Sequence, residues 1–126
     1  GEAMVLAKKA GLEPDIWWEV MKGGAADSFV LHHDVPSIFA GHYDPSFRVE
    51  LALKDLDLIQ ELINEHKTRA ELTNAAHERF KEAKDRYGDK AGEMTVCKVI
   101  EEDANVSLQV KGNWIAPWEV KHPEEN

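Results

Sequence analysis

Apolar and polar positions between residues 47 and 63 follow the period of an α-helix. At about 100° per residue, one broad face collects the apolar residues Val49, Leu51, Ala52, Leu53, Leu56, Ile59, Leu62 and Ile63. Asp55 interrupts this face, because it falls between Ile59 and Leu62. A carboxylate there must be paired or hydrogen-bonded, or its pKa must rise. Lys54 lies next to it, at the edge of the polar face.

The chain before this stretch also has helical spacing. The first ten residues carry an apolar stripe, and Pro14 opens a second helix that Gly23-Gly24 ends. Asp27 or Ser28 caps the next segment, SFVLHHDV, which Pro36 breaks or kinks before the short piece SIFA.

The chain after it continues in the same way. The central helix ends near His66, and two further helices are predicted over residues 72–87 and 92–103. No strand pattern occurs before residue 105. The predicted fold is therefore all-α, with about six helices joined by short turns.

The last part of the sequence changes character. VSLQVKGNW alternates as an extended segment does, and two prolines and a polar end follow. We expect a helical domain over residues 1–104 and an extended tail over residues 105–126. Docking of Trp114 and Trp118 on a surface would order part of this tail.

Composition and charge exclude several classes of protein. The 126 residues are 43% hydrophobic and 31% charged, which suits one globular domain. No apolar run approaches the roughly 20 residues of a membrane span. One cysteine and no visible signal peptide indicate a cytoplasmic protein. The net charge of −9 argues against nucleic acids and anionic membranes as partners.

The sequence contains no motif typical of a metal or phosphate site. Adjacent His32 and His33 would point about 100° apart on a helix, and there is neither HExxH nor a cysteine pair. Cys97 has apolar or threonine neighbours, which favours a small buried side chain over a reactive thiol. We therefore predict no metal site.

Two features leave alternatives open. In one interpretation, Asp55 has a structural role, because it pairs with a basic residue or caps a neighbouring helix, and Lys54 is simply solvated. In the other, Lys54 and Asp55 belong to a functional site. No Ser, Thr, Asp or Asn precedes the first turn of the first helix. The chain is therefore either a piece of a longer protein, or its natural terminus is frayed.

Four pieces of the sequence resemble, in order and spacing, the C-terminal helical domain of the β-hydroxyacid dehydrogenases, such as 3-hydroxyisobutyrate dehydrogenase. They are EAMVLAKKAGLEPD at 2–15, Gly23-Gly24-Ala25 with Ser28, DPSFRVELALKDLDL at 44–58 and RFKEAKDRYGDKAGEM at 79–94. The spacing from Phe47 to Lys54-Asp55 is the most specific part of the resemblance. The family often has Asp after its late glycine, where this chain has Glu93 after Gly92.

The resemblance implies a fold like the C-terminal domain of 6-phosphogluconate dehydrogenase. It implies a parent enzyme that interconverts a small anionic 3-hydroxy acid and its semialdehyde with NAD or NADP. In such enzymes an N-terminal Rossmann domain, absent from this sequence, binds most of the cofactor. The helical domain closes the active site and mediates assembly into a homodimer or higher oligomer.

The resemblance also assigns roles to residues. Lys54 and Phe47 match family residues that approach the cofactor near its nicotinamide end, and Asp55 matches a supporting acid. The general acid/base lysine is expected upstream of Gly1, so no catalytic residue lies in this chain and the fragment alone is expected to be inactive. The alternative is a free-standing helical interaction module without activity. In either case we expect exposed apolar residues, with Met4, Leu6 and the tail tryptophans as candidates.

Overall fold

The computed structural model describes residues 1–114, which form seven α-helices and no β-strand. The helices are α1 Glu2–Lys9, α2 Pro14–Lys22, α3 Phe29–His33, α4 Val35–Ala40, α5 Val49–His66, α6 Glu71–Tyr87 and α7 Thr95–Ala104. The predicted all-α class is confirmed. None of these helices is long and apolar enough to cross a membrane.

Local sequence signals account for most helix ends. Pro14 begins α2, and the Ser28 hydroxyl accepts a hydrogen bond from the Leu31 N–H at 3.1 Å, which decides the cap of α3 in favour of Ser28. Pro36 lies in the first turn of α4, so SFVLHHDV and SIFA become two helices. Gly41 ends α4 with φ of 82°, a left-handed conformation that glycine adopts without strain.

The main core forms around α4. Ile38 and Phe39 are each 1% exposed. The buried cluster consists of Met4, Val5, Leu31, Val35, Ile38, Phe39, Tyr43, Cys97 and Leu108. Cys97 is buried, as predicted. Met4 was expected on the surface, and that prediction is wrong because α1 turns this side chain into the core, whereas Leu6 is 71% exposed as expected.

A smaller cluster joins α5, α6 and α7. Val49, Ala83 and Val99 are completely buried there. Only the N-terminal part of the apolar face of α5 is covered, because Leu53 is the last buried residue of the helix. Leu51, Leu58, Ile59 and Leu62 are between 40% and 55% exposed. Within residues 1–114, α5 therefore presents apolar surface to solvent.

Residues 105–114, which follow α7, pack on the main core without regular secondary structure. Leu108 is fully buried, and the Val110 N–H donates to the Phe39 carbonyl at 3.1 Å. Trp114 packs edge-on against Phe39 and Trp18, with ring centroids 4.9 and 5.7 Å apart. The predicted docking of Trp114 is confirmed, while Trp118 lies outside the described residues.

Backbone hydrogen bonds hold the loop before α7 against the loop before α5. The Val49 N–H donates to the Ala91 carbonyl at 2.8 Å, and the Glu93 N–H donates to the Phe47 carbonyl at 2.9 Å. A Cβ on Gly92 would lie 2.1 Å from the Tyr43 carbonyl oxygen, closer than any side chain allows. These contacts determine where Phe47 lies and where α5 begins.

A buried carboxylate ties α7 to both neighbouring segments. Glu101 is 3% exposed, and it accepts hydrogen bonds from the Tyr43 hydroxyl at 3.1 Å and the Leu108 N–H at 2.8 Å. Burial raises the pKa of Glu101, while these two donors oppose the rise. The Tyr43 bond joins residues 58 positions apart in sequence, whereas the Leu108 bond spans seven positions.

We predict that Glu101→Ala lowers the free energy of unfolding by about 2–4 kcal/mol, because it leaves a buried hydroxyl and a buried N–H without an acceptor. Urea denaturation followed by circular dichroism measures the loss. The matched control is Glu61→Ala on the exposed face of α5, which should change stability by less than about 0.5 kcal/mol. Equal effects of the two variants would show that the Glu101 bonds do not stabilise the fold.

Candidate functional site

Lys54 and Asp55 form a surface ion pair on α5. The Lys54 Nζ lies 3.3 Å from the Asp55 Oδ1, and the side chains are 64% and 59% exposed. Asp55 is therefore not a buried carboxylate, because the apolar face in which the helical wheel places it is itself largely exposed. An exposed pair of this kind stabilises a fold by at most about 1 kcal/mol. The stability of the described residues therefore does not explain why a charged pair lies at positions 54 and 55.

Lys54 borders a cleft of ≈ 450 Å³ between α5 and α6, which we call the Lys54 cleft. Its lining residues are Glu50, Leu51, Leu53, Lys54, Asp57 and Lys84. Asp57 lies 2.6 Å from the His77 Nε2, which links the two helices, and the Lys84 ammonium lies 3.4 Å from Asp89. The Lys54 ammonium remains accessible to an anionic group from solvent.

Phe47 lines a different cleft, of ≈ 590 Å³, which we call the Phe47 cleft. Its lining residues are Phe29, Val30, His33, Asp34, Asp44, Ser46, Phe47, Phe80, Glu93 and Met94. Phe47 is 37% exposed and lies two residues before the start of α5, whereas Lys54 lies within the helix. The two residues predicted to approach the cofactor therefore line different clefts near the start of α5.

The floor of the Phe47 cleft is acidic, which the sequence did not reveal. Asp34 and Asp44 are buried at 6% and 2% exposure, and Glu93 is partly buried. The His33 Nδ1 lies 2.7 Å from the Asp34 Oδ1, and Asp44 accepts hydrogen bonds from both the N–H and the hydroxyl of Ser46. These acids come from three segments, so no spacing along the chain could have grouped them.

The Glu93 carboxyl in this cleft has a raised pKa. Burial raises its pKa to about 7, and the nearby charges of Asp34 and Asp44 act in the same direction. His33 opposes the rise. Glu93 therefore changes its charge near neutral pH.

His33, Asp34 and Asp44 each place one ligand atom within 4.8 Å of the others, close enough for a metal ion. Both aspartates already have partners inside the protein, His33 for Asp34 and Ser46 for Asp44. No other feature of the described residues points to a metal, so we assign none.

We predict that Glu93→Gln stabilises the protein above neutral pH. The raised pKa means that the folded state prefers protonated Glu93, so stability from this group is full below about pH 4.5 and is lost as pH rises through about 7. Glutamine stays neutral and avoids this loss, which we expect to be about 1 kcal/mol because the group is partly exposed. Denaturation of both proteins at several pH values measures the difference. A difference that does not vary with pH would contradict the prediction.

Comparison with known proteins places this chain in a family. Residues 1–100 match the family model described as NAD-binding of NADP-dependent 3-hydroxyisobutyrate dehydrogenase. L-threonate dehydrogenase of Haemophilus influenzae is 30% identical over 111 residues, which are 88% of this chain and 36% of that protein. The L-threonate dehydrogenase of Escherichia coli K12 is 26% identical over 98 residues, 78% of this chain and 32% of its own length.

A solved structure has the same fold. The crystal structure of 3-hydroxyisobutyrate dehydrogenase from Salmonella typhimurium matches with a TM-score of 0.73 and 26% identity, over 78% of this chain and 34% of that one. The chain thus spans about a third of the length of the relatives that it matches. The match over residues 1–100 shows that the chain belongs to the NAD-binding domain family of the 3-hydroxyisobutyrate dehydrogenases.

Proposed function

We propose that this chain is the C-terminal part of an NAD(P)-dependent dehydrogenase that acts on a small 3-hydroxy acid or its semialdehyde. Residues 1–104 form its helical domain, which closes the active site, and residues 105–126 are an appended tail. The observation that carries the proposal is the family match over residues 1–100. The names of the relatives, L-threonate and 3-hydroxyisobutyrate dehydrogenases, both specify a small hydroxy acid as substrate.

The cofactor would contact this chain along the start of α5. Lys54 offers an accessible ammonium to an anionic group of the cofactor or substrate, and Phe47 offers an exposed aromatic face. Asp55 orients Lys54 through their 3.3 Å contact. When bound, the nicotinamide accepts or donates the hydride. The sequence has no glycine-rich phosphate loop, so these residues fit one edge of a dinucleotide and the missing domain holds the rest.

Catalysis requires groups beyond those in this chain. The general acid/base lysine is expected before Gly1, so the 126 residues alone should bind cofactor weakly and turn over no substrate. A free-standing interaction module was the alternative from the sequence. It is not favoured, because the named L-threonate and 3-hydroxyisobutyrate relatives are dehydrogenases.

Assembly follows from the uncovered apolar surface. Leu58 and Leu62 on α5 are 53% and 55% exposed, and Leu72 at the start of α6 is 89% exposed. Leu58 and Leu62 lie one helical turn apart on α5, and adjacent exposed leucines are typical of a protein–protein contact. This supports a homodimer or higher oligomer in which α5 and α6 take part.

In the parent enzyme, Lys54→Ala should lower kcat/KM by about tenfold or more, on the order of 1.4 kcal/mol, because an accessible positive charge next to the cofactor is lost. Steady-state kinetics with varied cofactor concentration measure the change. Lys54→Arg should retain most of the activity, and Lys81→Ala, which removes an exposed lysine of α6 paired with Glu78, should have no effect. Wild-type kinetics for Lys54→Ala would remove Lys54 from the site.

The isolated chain should self-associate at high concentration, and Leu62→Lys should shift it towards monomer because a charge would be placed in the apolar contact. Sedimentation velocity over a concentration series measures both. Glu61→Lys, on the exposed polar face of the same helix, is the matched control and should leave the association unchanged. A clean monomer for the unmodified chain at all concentrations would contradict the proposed contact.

A further inference from the structure

The loop that leads to Phe47 begins with two consecutive residues of left-handed backbone, Tyr43 and Asp44, which we call the left-handed pair. Their φ angles are 54° and 46°. Aspartate adopts this conformation comparatively often because its short side chain can bond to nearby backbone, and Asp44 accepts from the Ser46 N–H at 3.0 Å. A bulky aromatic residue rarely adopts it. The conformation of Tyr43 must therefore be held by its surroundings.

Contacts from three segments hold Tyr43. Its N–H donates to the Ser37 carbonyl at 3.1 Å, and its own carbonyl faces Gly92 so closely that a Cβ there would lie 2.1 Å from the oxygen. The side chain is buried, and its hydroxyl donates to Glu101 at 3.1 Å. Glu101 is itself fixed by the Leu108 N–H, which donates to it at 2.8 Å. Among these contacts of Tyr43, the bond to Glu101 depends on a single oxygen atom, so Tyr43→Phe removes it and keeps the ring.

The left-handed pair is connected to Phe47 both along the chain and through the loop before α7. Phe47 follows Tyr43 by four residues. The Phe47 carbonyl accepts a hydrogen bond from the Glu93 N–H at 2.9 Å, and the adjacent Gly92 packs against the Tyr43 carbonyl. The carbonyl groups of Tyr43 and Phe47 are therefore both held against residues 92–93. A displacement of Tyr43 changes the contact with Gly92 and, with it, the bond that holds Phe47.

We propose that Tyr43 is a positioning residue, which holds Phe47 in place through the hydrogen bond of the Tyr43 hydroxyl to Glu101. The inference rests on the proposed function, in which Phe47 contacts the cofactor. Within residues 1–114, Tyr43 is buried outside the lining of the Phe47 cleft, so its side chain acts on a bound cofactor through the residues that it holds. An aromatic ring that is held in place before the cofactor arrives binds it with a smaller loss of conformational entropy.

The first test measures amide hydrogen exchange by NMR in the 126-residue protein. Tyr43→Phe should speed exchange of the Glu93 N–H about fivefold or more relative to the amides of α4, because the bond to Phe47 opens more often. The matched control is Tyr87→Phe, which removes another hydroxyl that donates to a glutamate of α7, Glu102, and should leave the Glu93 exchange unchanged. Unchanged exchange in Tyr43→Phe, or an equal acceleration of all amides, would overturn the proposal.

The second test measures steady-state kinetics of the parent enzyme. Tyr43→Phe should raise the KM for the cofactor about threefold or more and leave kcat within about twofold, because the Phe47 contact is present in both the ground state and the transition state. Phe47→Ala should raise the same KM. The double variant should be no weaker than Phe47→Ala alone, since the residue that Tyr43 positions is then already missing. A lower kcat at unchanged KM, or effects that multiply, would contradict the positioning role.

The two tests separate this inference from the proposed function. If Phe47→Ala alone leaves both KM and kcat unchanged, the proposed cofactor contact of Phe47 is wrong, and hydrogen exchange in the 126-residue protein still decides whether Tyr43 positions that residue. If Phe47→Ala raises the KM and Tyr43→Phe does not, the cofactor contact stands and the positioning role of Tyr43 is wrong.

Discussion

The close approach of two loops determines most of what this chain places at its surface. The backbone of residues 91–93 hydrogen-bonds to Phe47 and Val49, and Gly92 is pressed so near the Tyr43 carbonyl that a side chain has no room. This contact starts α5 at Val49, buries that residue completely and leaves Phe47 on the rim of a cleft. It also brings Glu93 to the aspartates of the preceding loops. One backbone contact thus positions both a wall and the floor of the Phe47 cleft.

The helices on either side of this contact are covered to different extents. Around α4 the chain buries Ile38 and Phe39 almost completely, and the buried carboxylate of Glu101 joins α7 to the segment after it. Around α5 the cover stops after Leu53, and the apolar residues beyond it remain exposed. This uncovered apolar face is the observation on which the proposed self-association rests. Because this face of α5 is exposed to solvent, the Asp55 carboxylate can lie among its apolar residues without being buried.

Family membership and site chemistry rest on different kinds of evidence. The family is shown by the match over residues 1–100 and by a shared fold. The roles of Lys54, Phe47 and Asp55 are proposals, supported by the accessibility of the first two and the contact between Lys54 and Asp55. The Phe47 cleft is shared with these proposals, because Phe47 itself lines it.

The sequence by itself determined the helical class, the ends of most helices and the family, because helix periodicity, proline, glycine and caps act over a few residues. It also singled out Lys54 and Phe47 as candidates, because their spacing lies within one segment. Tertiary structure alone decided that Met4 is buried while Asp55 is exposed, because a helical wheel shows which residues share a face but not what covers it. It also decided that Asp34, Asp44 and Glu93 meet, since their grouping depends on contacts between loops that are distant along the chain.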